Sequence, residues 1–228
     1  MAGRNISATK LGMCSTRILG CCALGGQAVG AAASLCKKYN CKPSELAPHI
    51  KELQQIIIRN DGFIPGFVNE DSTDLAKKAK FTASSFKIGC EPEKVTDGIS
   101  RKLGDNMHGW VSDGISTNGE TLTMEFENPQ EISELRCTFH SDFSYPIRVT
   151  MAPNRQKQQR EGVPAELIKD YDILLVKDGK IVRKIEVYGN HQRHNIHRFE
   201  KTVCDAVEFC FKTTNGSKDI TVFEVRAY

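Results

Sequence analysis

The chain has 228 residues, of which 39% are hydrophobic and 26% charged, so it has enough apolar material for one large or two small folded domains. A formal net charge of +3, with basic and acidic residues mixed along the chain, argues against a nucleic-acid-binding surface. The nine cysteines contain no C-x-x-C pair, which argues against a zinc or iron–sulfur site, and we expect reduced, mostly buried thiols.

The amino-terminal region superficially resembles a secretion signal, because the uncharged residues 18–35 follow Arg4, Lys10 and Arg17. Arg17 leaves only a short apolar run ahead of Cys21, whereas signal sequences contain about 7 to 15 apolar residues in a row. The stretch after Cys21 is rich in Gly and Ala rather than Leu, which argues against a membrane span. We therefore expect no membrane association and favour a cytoplasmic location for the chain as it stands, with secretion left open for a longer protein.

The first predicted helix covers about residues 27–38 and ends in two lysines, which suit the negative end of the helix dipole. Glycine costs about 1 kcal/mol relative to alanine inside a helix, so a cluster of small residues here indicates the close approach of another backbone or of a cofactor. The small residues are Gly20, Gly25, Gly26, Ala28, Gly30, Ala31 and Ala32.

A second helix is predicted from an N-cap at Ser44 to the turn that begins at Asn60. Apolar residues recur within it at intervals of three and four, which is typical of a helix with one apolar face. They are Leu46, Ile50, Leu53, Ile56 and Ile57.

From Ala79 onward the pattern changes to short β-strands separated by Gly, Asn and Asp. Asp178-Gly179 indicates a hairpin, and Trp110 is expected to be a core anchor. The fold class predicted for the whole chain is α+β: a short helical segment followed by an antiparallel β-sandwich or jelly roll. The predicted strands cover residues 121–126, 132–139, 171–176, 181–187, 207–212 and 220–228.

The β-region resembles the discoidin, or coagulation-factor type C, sandwich. The matching segments occur in the order typical of that family, which makes the set more specific than any one of its members. They are Phe81-Thr82-Ala83-Ser84-Ser85, Val95-Thr96-Asp97-Gly98, Trp110-Val111-Ser112-Asp113, the strands 122–126 and 132–139, and the final residues 222–228.

The segment before it resembles the end of the flavin domain in bacterial FAD-dependent oxidoreductases that carry such a sandwich at their carboxyl terminus. The matching residues are Ala2-Gly3-Arg4-Asn5-Ile6-Ser7, Ser15-Thr16-Arg17 and Gly26-Gln27-Ala28-Val29-Gly30 with Ala32 and Ala33. The resemblance also includes His191-Gln192-Arg193 and His197-Arg198-Phe199, which look like the family's basic strand.

The resemblance implies FAD as the cofactor, held by two groups of residues. The small-residue helix would direct its amino end at the isoalloxazine, where a helix dipole stabilises negative charge. Gly26, Gln27 and Gly30 are then nearest the ring, and Gly3, Arg4, Asn5 and Ser7 approach the ribityl or phosphate side.

The chain departs from the family in one large respect, because it contains no G-x-G-x-x-G fingerprint to hold the ADP pyrophosphate. Met1 also falls where the family still has a strand to complete. We therefore expect a carboxyl-terminal portion that does not retain FAD or act as an enzyme alone, and whose partner is the missing amino-terminal flavin domain or a complementing chain. The expected domains are the end of a flavin-binding domain at 1–42, a helical linker at 43–74 and the sandwich at 75–228.

Two sets of residues are candidates for a metal site. His191, His194 and His197 are three residues apart, a spacing that alternates between the faces of a strand, so we expect an exposed basic strand rather than a metal site. Asp97 and Glu224 stand where discoidin-like sandwiches often hold a structural calcium, and they are the candidate ligands for one.

The alternative function is that of a non-catalytic, discoidin-like module that binds carbohydrate or another ligand. The long basic loop 153–164 is interpreted as a solvated loop, with a docking surface as the alternative. The sequence contains no G-x-S-x-G elbow and no Cys-His pair in a recognisable context. It therefore does not indicate catalysis without a cofactor.

Overall fold

The computed structural model of the chain describes residues 3–145 and 150–228. The chain divides into two compact units, residues 1–71 and 72–228. Each unit has a hydrophobic core of its own, one helical and one built from strands.

Within its described residues, 3–71, the first unit contains three α-helices: α1 (Lys10–Thr16), α2 (Leu19–Tyr39) and α3 (Ile50–Arg59). The hydroxyl of Thr9 caps α1 by accepting a hydrogen bond from the Gly12 N–H at 3.1 Å. α2 ends at Asn40, whose φ of 50° lies in the left-handed region that terminates many helices. Residues 43–71, most of the predicted linker 43–74, belong to the same compact unit as α2.

The helix boundaries differ from the sequence prediction. α2 begins at Leu19, eight residues earlier than expected, because residues 19–26 have no polar side that would reveal a helical period. The predicted cap at Ser44 is wrong, since the chain makes 3₁₀ turns at Pro43–Glu45 and Ala47–His49 before α3 begins at Ile50. Prolines at the starts of these turns lack the N–H that a longer helix would use.

The core of the first unit confirms most of the predicted apolar face. Leu46, Leu53 and Ile57 are buried together with Leu35 of α2. Ile50, the first residue of α3, is 47% exposed.

Within residues 72–145 and 150–228, the second unit contains one short α-helix, α4 (Pro153–Gln156), and nine β-strands. Seven strands form one antiparallel sheet in the order β4-β9-β5-β8-β6-β7 with β1 paired to β5, and β2 and β3 form a separate hairpin. The strands are β1 (Lys80–Ala83), β2 (Lys102–Leu103), β3 (Asn106–Met107), β4 (Trp110–Val111), β5 (Glu120–Phe139), β6 (Ile168–Lys177), β7 (Lys180–Val187), β8 (His194–Thr214) and β9 (Thr221–Ala227).

Two long strands, β5 and β8, turn this sheet into a sandwich. Their pairing is interrupted between Glu125 and Gln130 and again between Ile132 and Glu134, and such irregularities bend a strand. The first half of β5 pairs with β1, and the matching part of β8 pairs with β6. The second half of β5 pairs with β9, so the two halves of the same strands belong to two layers.

Aromatic side chains fill the space between the layers. The Phe139 ring meets Tyr171 edge to face at 5.3 Å and Phe211 at 6.0 Å between ring centroids. Trp110 is fully buried and lies 5.8 Å from Phe211, while its indole N–H donates to the Ser85 carbonyl at 2.8 Å. The expected role of Trp110 as a core anchor is confirmed.

The predicted fold class is confirmed and each predicted strand overlaps an observed one, but β8 (His194–Thr214) begins well before the predicted strand 207–212. Residues 121–126 and 132–139 belong to the single bent strand β5. The Asp178-Gly179 hairpin is present, with φ values of 51° and 71°, as a turn with two left-handed central residues requires.

Gly119 gives a test of this fold. Its φ is +81°, and an added Cβ would lie 2.4 Å from the Phe211 carbonyl oxygen, on the strand that pairs with β5. Gly114 has a φ of +90° but nothing within 4 Å of the same position.

We predict that Gly114→Ala lowers the free energy of unfolding by about 1–2 kcal/mol through backbone strain alone. Gly119→Ala adds a steric cost of about 1–3 kcal/mol because backbone must move. Urea unfolding followed by fluorescence of Trp110, the sole tryptophan, measures both. Equal losses in the two variants would contradict the predicted packing of Gly119 against Phe211.

Candidate functional site

The residues predicted to approach the flavin all lie in the first unit. Gly3, Arg4 and Asn5 form a 3₁₀ turn, Gly3–Asn5, which contacts α2. Ser7 follows in an irregular exposed segment. Ala2, which belongs to the same matching stretch, lies outside the described residues. The structure therefore brings the turn and the small-residue helix together within one unit.

The glycines of α2 face open space. A Cβ added at Gly20, Gly25, Gly26 or Gly30 would meet nothing within 4 Å. Packing within the described part of the chain therefore does not require glycine at these positions. Each glycine destabilises the helix by about 1 kcal/mol relative to alanine, and contacts within this unit do not offset this loss.

The early start of α2 corrects the predicted orientation of the site. The Cys22 N–H donates to the Ile18 carbonyl at 3.0 Å, so the helix is already closed before Gly26. The N–H groups without a carbonyl in a preceding turn belong to residues 19–21, and the positive end of the helix dipole lies there. Gly26, Gln27 and Gly30 are interior helical positions, which offer an exposed side rather than free N–H groups.

α2 is also long and apolar enough to cross a membrane by length and composition, and little of its apolar window is buried in the described structure. Signal sequences and the core helices of soluble proteins share these properties. The expectation of no membrane association stays a prediction.

The cysteines differ from expectation in their burial. All nine are free thiols, but only Cys137 and Cys204 are buried, so the expectation of mostly buried thiols was wrong. Burial raises the pKa of Cys204 to about 11 and raises that of Cys137 further. Both buried thiols therefore stay protonated, and neither is suited to act as a nucleophile.

The three histidines of the basic segment do not converge. His191 precedes β8, His194 Nδ1 lies 3.0 Å from the Thr138 hydroxyl, and His197 Nε2 lies 3.0 Å from the Tyr171 hydroxyl. Burial lowers the pKa of His197. Contrary to the expectation of an exposed basic strand, His197 is therefore not part of an exposed basic surface. Within residues 3–145 and 150–228, no group of three or more His, Cys, Asp or Glu side chains is arranged to hold a metal ion.

The two candidate calcium ligands have protein partners. Asp97 Oδ1 accepts from the Ile99 N–H, and its Oδ2 lies 2.7 Å from His108 Nδ1. Glu224 is 3% exposed and receives a hydrogen bond from Arg226 at 2.8 Å. The structure gives these carboxylates ion-pair or capping roles, and the calcium site stays a prediction.

A cleft that the sequence did not indicate lies at the end of the sandwich where β5 finishes and β9 begins. Its volume is about 300 Å³, and the loop after β5 forms much of its wall. The residues that line it are Arg101, Lys102, Gly104, His140, Asp142, Phe143, Ser144 and Phe223.

Ion pairs and ring contacts hold the loop of this cleft in place. Arg160 donates to Glu166 at 2.6 Å and to Asp142 at 3.2 Å, and its guanidinium lies 4.1 Å from the Tyr145 ring centroid. Arg160 belongs to the basic segment interpreted as a solvated loop, so this part of the segment is anchored. Sequence reasoning missed the cleft because its residues come from three separate segments without a common motif.

Comparison with known proteins supports a two-part chain. Residues 1–57 match the family described as FAD dependent oxidoreductase. Over 110 residues the chain is 31% identical to the phosphoribosylformylglycinamidine cyclo-ligase of Acetivibrio thermocellus, a match that covers 44% of this chain and 30% of that protein. The chain spans less than a third of this relative, and the activity in its name is that protein's own.

Solved structures resemble the sandwich. A fucose binding module of Streptococcus pneumoniae has a TM-score of 0.52 and 12% identity, and the match covers 71% of this chain and 99% of the module. The lectin domain of lectinolysin, solved with Lewis B antigen, has a TM-score of 0.52 and 12% identity over 69% of this chain and 96% of the domain. At this identity the likeness shows the fold alone. The expected resemblance, the end of a flavin domain followed by a discoidin-like sandwich, is confirmed.

The Glu224–Arg226 pair predicts a large effect of one substitution. Glu224→Ala removes one carboxylate partner of the buried Arg226 guanidinium, and the free energy of unfolding should fall by about 3–5 kcal/mol. The control is Glu131→Ala, which removes an exposed pair with Lys201 at 2.8 Å and should cost less than about 1 kcal/mol. Urea unfolding measures both, and a calcium-dependent stability that disappears in Glu224→Ala would instead support the metal site.

The buried imidazole of His197 predicts a pH dependence. The unfolded chain binds this proton near pH 6.5, whereas the folded pKa is lower. The folded protein is therefore destabilised as the pH falls below 6.5, by at most about 1.4 kcal/mol per pH unit for this group. His197→Gln, which keeps an acceptor for the Tyr171 hydroxyl, should flatten the decline between about pH 7 and 5.5, and exposed His191→Gln should not. An unchanged slope in His197→Gln would contradict the assignment.

Proposed function

We propose that the chain is the carboxyl-terminal portion of an FAD-dependent oxidoreductase. In this proposal the first unit supplies a helix that faces the flavin, and the sandwich caps or buttresses the flavin domain. One observation carries the proposal: the residues that match the FAD dependent oxidoreductase family contain the four α2 glycines at which an added Cβ would meet nothing within 4 Å. Glycine lowers helix stability, so a helix that contains several is suited to the close approach of a cofactor or a backbone from outside the chain.

The proposed arrangement places two groups of residues on the cofactor. The exposed side of α2 at Gly26, Gln27 and Gly30 packs against the isoalloxazine or the backbone around it. The neighbouring turn, with Gly3, Arg4 and Asn5 and the following Ser7, supplies polar groups to the ribityl or phosphate side. FAD supplies the redox chemistry when bound, and these residues orient it and exclude water from one side.

The rest of the FAD site is proposed to come from a partner. The chain has no G-x-G-x-x-G segment, so the adenine and pyrophosphate ends of FAD need a dinucleotide-binding domain from elsewhere. This domain is either a preceding segment of a longer protein or a complementing chain. We therefore expect neither retained FAD nor oxidoreductase activity from residues 1–228 alone.

The test is co-expression of the full chain with a flavin domain of this family that carries the G-x-G-x-x-G segment. We predict that the two polypeptides co-purify with bound FAD, measured by visible absorbance, and that the chain alone is colourless. Gly26→Leu and Gly30→Leu should each abolish the complex, because leucine fills the space that the partner needs. Leucine is also a better helix former than glycine, so the stability of α2 itself should not fall.

Ser34→Leu is the matched control, since it adds the same side chain to an exposed position of α2 two turns beyond Gly26. This variant should retain the complex and its flavin. Stoichiometric FAD on the chain alone would contradict the proposal, and so would unchanged flavin content in both glycine variants.

A second candidate function is that of a carbohydrate-binding module formed by the sandwich. The observation that favours it is the cleft at the end of the sandwich, which combines the exposed Phe143 ring with the polar groups of Arg101 and His140. Aromatic faces beside hydrogen-bonding groups suit the mixed surface of a sugar. The two candidate functions concern different units of the chain and do not exclude each other.

A further inference from the structure

The turn at the carboxyl end of α2 brings two cysteines together. The left-handed Asn40 terminates the helix, and two hydrogen bonds close the turn. The Cys41 N–H donates to the Cys36 carbonyl at 3.0 Å, and the Asn40 N–H donates to the Lys37 carbonyl at 3.4 Å. This is the pattern of a Schellman motif, in which the side chains of the two residues joined by the longer-range bond commonly meet. Those two residues are here Cys36 and Cys41.

The backbone of this turn meets the first requirement of a disulfide. Because the Cys41 nitrogen lies 3.0 Å from the Cys36 carbonyl oxygen, standard bond lengths place the two Cα atoms within about 7 Å of each other. Disulfides join residues whose Cα atoms are separated by up to about 7 Å. The two cysteines can therefore be linked without a rearrangement of the helix end.

The side chains of the pair are in contact as well. Both pack against the small core of the first unit, which includes Leu35 and Leu46. Partial burial, followed by the charge and the hydrogen bond of the Cys36 sulfur, raises the pKa of Cys41. Cys41 therefore stays protonated at neutral pH, and Cys36 is the sulfur that can act as the nucleophile.

The pair is also accessible to a small oxidant. Cys36 and Cys41 are both half-buried, whereas Cys137 and Cys204 of the second unit are fully buried. Oxidation of a thiol requires exposure as well as a partner sulfur if the product is to be a disulfide. The turn after α2 combines the two.

We propose that Cys36 and Cys41 form a reversible disulfide in the presence of a peroxide, and that this bond locks the carboxyl end of α2. The Cys36 sulfur attacks one oxygen of hydrogen peroxide, the O–O bond breaks, and Cys36 becomes a sulfenic acid while its thiol proton leaves in a first water. The Cys41 sulfur then attacks the Cys36 sulfur, the S–O bond breaks, and a second water leaves. The two thiols lose two electrons and two protons, and the peroxide takes both. The inference is independent of the flavin proposal.

The test is mass spectrometry of the full chain after treatment with hydrogen peroxide, at a protein concentration low enough to disfavour links between molecules. Free thiols are then alkylated, and the chain is digested with trypsin without reduction. Cys41 is the sole cysteine of residues 39–51, which trypsin releases as one peptide, and Cys36 lies in the peptide 18–37. We expect these two peptides to be linked after peroxide treatment, and a dithiol reductant to separate them.

The peptide that contains Cys36 also contains Cys21 and Cys22, so the linked residue must be identified. Fragmentation of the linked peptides should place the bond on Cys36, and this assignment uses the unchanged chain, so it does not require that any variant folds. Cys36→Ser should abolish the link. Cys22→Ser is the matched control, since Cys22 is a half-buried thiol of the same helix, and it should leave the link unchanged.

The lock has a readout of its own. A cross-link that closes a loop of about six residues restricts the unfolded chain, and it should lower the equilibrium constant for unfolding of the first unit by roughly tenfold or more. Urea unfolding followed by far-ultraviolet circular dichroism reports on the helices of this unit. Peroxide should raise the midpoint of helix loss in the unchanged chain and should not raise it in Cys36→Ser.

Three results would count against the inference. Complete alkylation of both cysteines after peroxide treatment would overturn it, and so would conversion of either to a sulfinic acid, which a dithiol does not reverse. A link from Cys41 that persists in Cys36→Ser would overturn the pairing. A disulfide that forms without raising the midpoint would overturn the lock.

Discussion

The packing of Phe139 against Tyr171 and Phe211 is the interaction on which the second unit depends. Phe139 ends the long strand β5 in one layer, while Tyr171 and Phe211 belong to β6 and β8 in the other. The contact joins the two layers at the end of β5. The loop that follows Phe139 forms much of the wall of the cleft, with His140 as its first residue.

The first unit is subject to a different constraint. Its small core, built around Leu35, Leu53 and Ile57, buries one side of α2 and leaves the glycine-containing side exposed. An exposed helix side of this composition is poorly suited to water, because glycine adds flexibility and the remaining apolar residues add exposed surface. A flavin domain that covers this side explains both features, and it agrees with the family that residues 1–57 match.

Sequence reasoning succeeded where the cause of a structure is local. Asp178-Gly179 predicted its hairpin because few residue pairs adopt two left-handed conformations, and Trp110 predicted a core anchor by its size and strand context. It failed where the cause is tertiary. The start of α2 was missed because residues 19–26 show no period, and the cleft was missed because Arg101, His140 and Arg193 are brought together by the fold alone.

The central claim is that α2 lies against the flavin, and photolabelling tests it directly. Trypsin cleaves after Arg17 and Lys37 and at no site between them, so most of α2 is released as the single peptide 18–37. In a complex of the full chain with the flavin domain, loaded with a photoreactive azido-FAD, mass spectrometry should find the label in this peptide. Label confined to peptides of the sandwich, with none in peptide 18–37, would contradict the account.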